Sequence, residues 1–356
     1  MKKVGVVIGG WDAPGLNAVT HAIVKALPDC EVLGFIWWWD AIIDAEYITL
    51  TRDVTAPVRW IWGTILKTRN KGRFWVAAGA GDDVYLPQNL IDELKAGYDK
   101  LGLECIFILW WDSTISTSRL FQENGINIIG IPKTIDNDLA STEYTYGFQT
   151  AIETVNDAMQ KLHTTATSHD RVMVVEVMGR HAGWIPLYSW IAWGASIILL
   201  PEMSFGYDNI IKTLENRRSM GKNSTIIVVA EWAHENQTWM VTKDDWSSAS
   251  YQSLWWTWEQ LTAYINKNSD FEARNNQLWH IQRWWSPSGM DMVLSLQYGA
   301  YAARMFRNQE FGRMVVCNNS EMSSMTIKEW TALLKNVTKD TQLYQLACEM
   351  GISFWL

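Results

Sequence analysis

The sequence has few cysteines and prolines and no long run of charge of one sign. Its four cysteines are far apart, and no two have the spacing of a metal or redox pair. We therefore expect reduced thiols and a cytoplasmic protein. The net charge is −8, and no cluster of Lys and Arg offers the basic face that binds nucleic acids. We expect no nucleic-acid partner.

The sequence also lacks a segment typical of a signal peptide or a membrane span. The first residues, MKKVGVVIGG, enter a glycine turn after a short apolar run, which is typical of a buried first strand. The longest apolar stretch, 184–200, contains Pro186 and ends at Pro201. We predict a short helix followed by a buried strand there, and no membrane partner.

Tryptophan, by contrast, is present in excess. The chain has 23 tryptophans, as many as its glycines, and many of them lie in clusters beside glycine-type turns. The clusters are WWWD at 37–40, RWIWG at 59–63, LWWD at 109–112 and RWWS at 283–286. Neither packing nor solubility requires this pattern.

Short β-branched runs alternate with segments of helical period. The apolar runs are 4–8, 105–109, 126–131, 171–177, 196–200 and 224–230, and the helical segments include 16–27 and 148–166. Strands that are buried on both faces are typical of parallel sheets covered by helices. The rhythm occurs before and after about residue 147, so we predict an α/β protein of two doubly wound lobes with mainly parallel sheets.

Three segments after predicted strands carry candidate chemistry. In GGWDAPGLNAV (9–19), a glycine turn leads into a helix N-terminus, which suits phosphate, although tight turns use glycine in any case. In PKTIDNDL (132–139), Asp136 and Asp138 follow Thr134. In an extended segment the two carboxylates would face the same way and suit a general base; the alternative is a solvated turn.

The third segment, MGRHAGW, places Arg180 at a glycine turn after a strand. Arg171, Arg274, His280 and Arg283 add further cationic donors, and arginine is well suited to forked phosphate contacts. Each arginine alone suits a surface salt bridge. Together with the acidic pair, they indicate phosphate binding and proton abstraction from a hydroxyl.

The order and spacing of these motifs resemble the 6-phosphofructokinase family. The resemblance runs from Lys3 to about Arg304, and its motifs are DAPGLNAV, PKTIDNDL, HTTATSHDRVMVVEVMGRHAGW, LLPE, VVAE, FEAR, HIQR and SPSGMD. It implies transfer of a phosphoryl group from Mg-ATP to the 1-hydroxyl of fructose 6-phosphate. It also implies a donor-binding lobe of residues 1–147 and about 282–332, and a sugar-phosphate lobe of 148–281 and about 333–356.

The resemblance assigns roles on the acceptor side. Asp136 is implied to take the proton from the sugar hydroxyl, with Asp138 tuning it. Thr134 is implied to contact the transferring phosphoryl group, and Arg180 to stabilise the charge of the transition state. These four residues form the implied catalytic set.

Substrate-binding roles are implied for seven further residues. Met178, Gly179 and Glu231 match positions that bind the sugar, and His280 and Arg283 match groups around its 6-phosphate. In the family, arginines that match Arg171 and Arg274 reach across a subunit interface, which implies a homo-oligomer, usually a tetramer.

The residues on the donor side leave the identity of the phosphoryl donor open. Gly10, Trp11 and Lys133 match donor positions, and Asp112 matches the aspartate that holds Mg²⁺. The next residue separates ATP users (glycine) from pyrophosphate users (aspartate) in this family, and here it is Ser113. Lys133 occurs in pyrophosphate users and in some ATP users. We expect ATP, with pyrophosphate as the alternative donor.

The chain departs from the family where tryptophan replaces glycine. The replaced positions are Trp11 in the first turn, Trp62, Trp110, Trp111, Trp284 and Trp285, and Trp38, Trp190 and Trp193 follow the same pattern elsewhere. We expect the indole of Trp11 or Trp111 to occupy donor space. Two explanations stand: a catalytically silent sugar-phosphate-binding relative with a blocked donor site, or an altered sequence on a phosphofructokinase backbone.

Overall fold

The computed structural model describes most of the chain. The described residues are 1–69, 72–74, 85–110, 112–194, 196–235, 257–283, 286–330 and 334–354, without the side chains of 112–116. The strands are β1 Lys2–Ile8, β2 Cys30–Phe35, β3 Tyr47–Thr49, β4 Leu103–Trp110, β5 Ile128–Pro132, β6 Val172–Val177, β7 Ile197–Leu199, β8 Thr225–Ala230, β9 Ala273–Gln277, β10 Arg313–Asn318 and β11 Glu321–Thr326.

Helices follow most of these strands. They are α1 Leu16–Ala26, α2 Asp40–Asp44, α3 Arg52–Thr55, α4 Gln88–Leu101, α5 Asp112–Glu123, α6 Phe148–Ser168, α7 Trp184–Trp193, α8 Tyr207–Ser219, α9 Thr257–Asn268, α10 Gly289–Arg307 and α11 Gln342–Glu349, with a 3-10 helix at Trp279–Arg283. None of the helices in these ranges combines the length and the apolar character needed to cross a membrane.

The chain divides into two compact units. The first comprises Met1–Ile135, Leu139–Thr150 and Arg283–Leu333, and the second comprises Asp136–Asp138, Ala151–Gln282 and Leu334–Leu356. The acidic pair therefore groups with the second unit, although the strand that precedes it belongs to the first.

The first unit is built on a seven-stranded sheet in the order β11-β10-β5-β4-β1-β2-β3. Its central pairs are parallel, and the edge pairs β10–β11 and β2–β3 are antiparallel. Along β1, Val7 joins one hydrophobic cluster while Val6 and Ile8 join another, as Ile108 and Leu109 do along β4. Both faces of the sheet are thus buried under helices, which accounts for the continuous apolar runs.

The second unit has a four-stranded parallel sheet in the order β7-β8-β6-β9. Its core includes Val172, Val174, Ile227 and Val229 on the strands and Leu214 on α8. The stretch 184–200 forms α7 and then β7, so the predicted helix and buried strand are confirmed. The α/β class with mainly parallel sheets is confirmed as well.

Candidate active site

The first glycine turn of the first unit is fixed from three sides. Gly10 has φ of +73°, a conformation that glycine adopts without steric cost. Its N–H donates to the carbonyl of Arg69 at 3.1 Å, and its own carbonyl accepts from Thr68 Oγ1 at 2.6 Å. Lys133 Nζ donates to the carbonyl of Trp11. The turn leads through Gly15 into α1, whose N-terminus can attract an anion.

The predicted donor residues come from three neighbouring strands. Because β5, β4 and β1 are adjacent and parallel, the segments that follow their carboxyl ends lie at one edge of the sheet. Gly10 and Trp11 follow β1, and the buried Lys133 and Thr134 follow β5. The Lys133 N–H donates to the carbonyl of Trp110 at the end of β4, at 2.9 Å.

The indole of Trp110 packs beside this turn, a contact that the sequence did not predict. A Cβ atom built on Gly9 would lie 1.2 Å from a ring atom of Trp110, so this ring packs directly on Gly9. Trp110 also stacks on the buried Trp38 with 4.9 Å between ring centroids. The side chain of Trp11 is 48% exposed. Trp111 lies outside the described residues.

Arg283 is buried in the first unit. Its Nη1 donates to the carbonyl of Asp12 at 3.4 Å, and its guanidinium lies 5.2 Å from the ring centroid of Trp11. The structure therefore places this side chain beside the first glycine turn. Trp284 and Trp285, which follow it, lie outside the described residues.

The predicted magnesium ligand falls in the first turn of α5. The side chains of Asp112 and Ser113 lie outside the described part of the chain. Within the described ranges, no three His, Cys, Asp or Glu side chains form a group that could hold a metal ion. A site of one carboxylate completed by substrate phosphates and water needs no such group, and it is the usual way in which Mg²⁺ is bound beside nucleotides.

The prediction that Asp136 and Asp138 share an extended segment is wrong. The chain bends at this point, and Asn137 between them has φ of +52°, in the left-handed region that asparagine tolerates better than most residues. The spacing rule for a strand therefore does not apply. Both aspartates are nevertheless buried, and the carbonyl of Asp138 accepts from the Lys335 N–H at 2.7 Å. The solvated turn, the alternative interpretation, is excluded by this burial.

A tight turn follows β6 in the second unit. Gly179 has φ of +141°, and a Cβ there would lie 2.7 Å from the carbonyl oxygen of Ala182. The position therefore favours glycine over any residue with a Cβ atom. The Arg180 N–H donates to Glu231 Oε1 at 3.0 Å, and Glu231 follows the neighbouring β8. The Met178 N–H donates to Gln282 Oε1 at 2.8 Å. Predicted sugar-binding residues from β6 and β8 are therefore held together.

His280 lies beyond the carboxyl end of β9, which pairs with β6. Arg171 and Arg274 lie at the opposite edge of the same sheet, before and at the start of their strands. They share Glu272, whose Oε1 is 2.8 Å from Arg171 and 2.7 Å from Arg274. With about 3.3 Å per residue, the two edges are roughly 20 Å apart. The structure thus separates these two arginines from the Met178–Arg180 turn.

Glu176 is a site-adjacent residue that the sequence analysis missed. It lies on β6, two residues before Met178, and its Oε2 accepts from Gln277 Nε2 at 2.8 Å and from Trp279 Nε1 at 2.6 Å. Burial raises the pKa of the Glu176 carboxyl to about 8. A single acid inside the apolar run VMVVEV was the signal available.

Burial also lowers the pKa of His181 to about 4, with a smaller contribution from the charge of Arg180.

The raised pKa of Glu176 predicts a dependence of stability on pH. The folded protein keeps a proton that the unfolded chain releases near pH 4.5, so this residue's contribution to stability is complete below pH 4.5 and is lost as the pH rises towards 8. Glu176→Gln, which does not titrate, should show a smaller fall in the midpoint of urea unfolding between about pH 5 and about pH 8. Equal falls in wild type and variant would contradict the assignment.

Comparison with known proteins agrees with this arrangement. The chain matches the phosphofructokinase family over residues 3–306. It is 34% identical over 364 residues to ATP-dependent 6-phosphofructokinase 2 of Clostridium perfringens, with 99% of this chain and 98% of the relative covered. It is 36% identical over 357 residues to the pyrophosphate–fructose 6-phosphate 1-phosphotransferase of Streptomyces coelicolor, with 99% of both covered.

Solved structures agree on the fold. The pyrophosphate-dependent phosphofructokinase of Nitrosospira multiformis superposes with a TM-score of 0.80 over 99% of this chain and 89% of its own, at 16% identity. That identity supports the architecture alone. The family match and the full-length relatives, joined to the two strand-end sites described above, show that this chain belongs to the phosphofructokinase family.

Proposed function

We propose that this chain is a cytoplasmic 6-phosphofructokinase that converts fructose 6-phosphate to fructose 1,6-bisphosphate in glycolysis, with Mg-ATP as donor. The observation that carries the proposal is the acceptor-side arrangement of the second unit. Buried Asp136 and Asp138 belong to the same unit as the Met178–Arg180 turn, which Glu231 holds at its backbone.

In the proposed reaction, Asp136 accepts the proton of the sugar's 1-hydroxyl as that oxygen attacks the γ-phosphorus of ATP. The bond between the γ-phosphorus and the bridging oxygen breaks, and ADP leaves. Asp138 tunes the base, Thr134 contacts the transferring group, and Arg180 stabilises the charge on its oxygens. Positioning and charge neutralisation supply most of the rate acceleration in such transfers.

The same proposal assigns the sugar-binding side chains. Met178, Gly179 and Glu231 hold the sugar, and His280 and Arg283 hold its 6-phosphate. Arginine suits that task because its planar fork matches phosphate oxygens.

The positions of Arg171 and Arg274 support a homotetramer. They lie at the strand edge away from Met178, so their own subunit's Met178–Arg180 turn is out of their reach, and we assign them to a substrate bound by another subunit.

On the donor side, we assign Gly10, Trp11, Ser113 and Lys133 to the phosphoryl donor and Asp112 to Mg²⁺. A bound magnesium ion would neutralise charge on the donor phosphates. Lys133 is buried, and its ammonium is oriented by the Trp11 carbonyl at the turn where an anion would lie. Pyrophosphate, the donor named in the Streptomyces relative, is the alternative donor.

One observation favours a second candidate function, a catalytically silent protein that binds sugar phosphate. The Trp110 ring packs on Gly9, beside the turn assigned to the donor. Under this alternative, fructose 6-phosphate binds while neither Mg-ATP nor pyrophosphate does. Calorimetry with each of the three compounds separates the two functions.

Asp136→Ser tests the proposed base. We expect turnover to fall by about 100- to 10,000-fold, because a positioned general base contributes about that much, while fructose 6-phosphate binding stays unchanged. The matched control is Asp157→Ser, which removes an exposed aspartate of α6 that pairs with Lys161. A coupled assay for fructose 1,6-bisphosphate measures both. Turnover of Asp136→Ser at the wild-type rate would rule out this role.

A further inference from the structure

Gln282 links two segments that the sheet itself does not join. The pairing of β6 with β9 ends at Glu176 and Gln277, and one more backbone hydrogen bond runs from the Leu278 N–H to the Glu176 carbonyl at 3.1 Å. Beyond that point the chains separate into the Met178–Arg180 turn and the 3-10 helix. Gln282 Oε1 bridges them by accepting from the Met178 N–H at 2.8 Å.

The bridge is buried. The Gln282 side chain is 0% exposed, so the hydrogen bond does not compete with water. Since a backbone N–H needs an acceptor, the contact identifies the oxygen of the amide and directs its nitrogen elsewhere. Nε2 is buried and has no hydrogen-bond partner in the described part of the chain. The amide is therefore held through Met178 alone.

We propose that Gln282 is a positioning residue of the sugar-phosphate site. Its amide fixes the distance between the Met178–Arg180 turn and the helix that carries His280, so that groups from both can contact one ligand. The inference rests on the proposed function, because it takes fructose 6-phosphate as that ligand. Without the oxygen of Gln282, the Met178 N–H loses this buried acceptor, and the turn is no longer tied to the 3-10 helix at this point.

The test compares Gln282→Met with Asn266→Leu. Asn266 makes the same kind of link in the same unit: its side chain accepts from the Ala273 N–H at 2.8 Å and donates to the Ala273 carbonyl at 3.0 Å, at the start of β9. We expect Gln282→Met to weaken calorimetric binding of fructose 6-phosphate by about tenfold, since one buried hydrogen bond is worth about that factor. Asn266→Leu should lower the thermal midpoint and leave this Kd unchanged.

The outcomes separate the inference from the proposed function. Two results would overturn the positioning role. Gln282→Met could bind fructose 6-phosphate with the wild-type Kd, or Asn266→Leu could raise this Kd as much as Gln282→Met does. Absence of fructose 6-phosphate binding by folded wild type would instead overturn the proposed function. Because the readout is binding, the test also works if the chain proves catalytically silent.

A second inference concerns the tryptophans and rests on backbone conformation. Trp37, Trp38 and Trp279 have φ of +69°, +84° and +24°. A bulky residue with positive φ is an outlier, because its Cβ approaches the backbone carbonyl, whereas glycine has no Cβ. Trp39, next in the same cluster, has an ordinary φ of −62°. The strain is thus confined to particular tryptophans.

Side-chain hydrogen bonds do not account for the conformations of Trp37 and Trp38. Trp38 is fully buried, yet its indole N–H has no hydrogen-bond partner in the described structure. Trp37 contacts Lys67 and Arg69 through its ring face, a contact possible from many backbone conformations. Trp279 differs from them, because its indole N–H donates to Glu176.

We infer that Trp37, Trp38 and Trp279 stand at glycine positions of this fold. A single cause would produce all three and the similar replacements at Trp11, Trp110 and Trp111. The codon UGA is read as tryptophan in some genetic codes and as glycine in others. If the organism reads UGA as glycine, translating its UGA codons as tryptophan would place tryptophan at those glycine positions. Tryptophans encoded by UGG would be tryptophan in both codes.

Two measurements test this inference. The gene should carry UGA at 37, 38 and 279; UGG at these three positions would overturn it. Independently, Trp37→Gly should unfold about 2–4 °C above Trp37→Ala, because both lose the indole but only glycine relieves the positive φ. At Trp39 the order should reverse, with alanine above glycine. An alanine variant as stable as glycine at 37 would contradict the inference.

Discussion

The geometry of parallel strands is the constraint on which this structure depends. In each sheet, neighbouring parallel strands end at one edge, and the segments after them supply the groups assigned to chemistry. Trp11 and Lys133 are joined in this way in the first unit, whose β1, β4 and β5 are neighbours. Arg180 and Glu231 are joined in the second, through β6 and β8. Arg171 and Arg274 lie at the opposite edge of the second sheet, where both pair with Glu272.

The central strands and their helices could be predicted because burial on both faces leaves a continuous apolar run. The runs 105–109 and 224–230 became β4 and β8 with changes of one or a few residues at their ends. The antiparallel edge strands were not predicted, because β11, EMSSMT, is half polar and lacks such a run.

Details of the site depend on backbone conformation, which cannot be read from the amino-acid sequence. The bend at Asn137 turned an expected extended pair into a buried turn, and no spacing rule distinguishes the two. Gln282 reads in sequence as one polar residue among several, and its link to Met178 exists because two strands bring distant segments together. The indole beside Gly9 belongs to Trp110, at the end of β4. The letters Trp110-Trp111 do not specify which face of the sheet this side chain occupies.

Donor-dependent product formation is the most direct test of the proposed phosphoryl transfer to fructose 6-phosphate. A coupled assay for fructose 1,6-bisphosphate would be run on the folded wild-type chain with Mg²⁺ and either ATP or pyrophosphate. We predict that turnover with ATP exceeds turnover with pyrophosphate. Turnover with pyrophosphate alone would contradict the assigned donor. No product with either donor, from protein shown to be folded, would contradict the claim that this chain catalyses the reaction of its family.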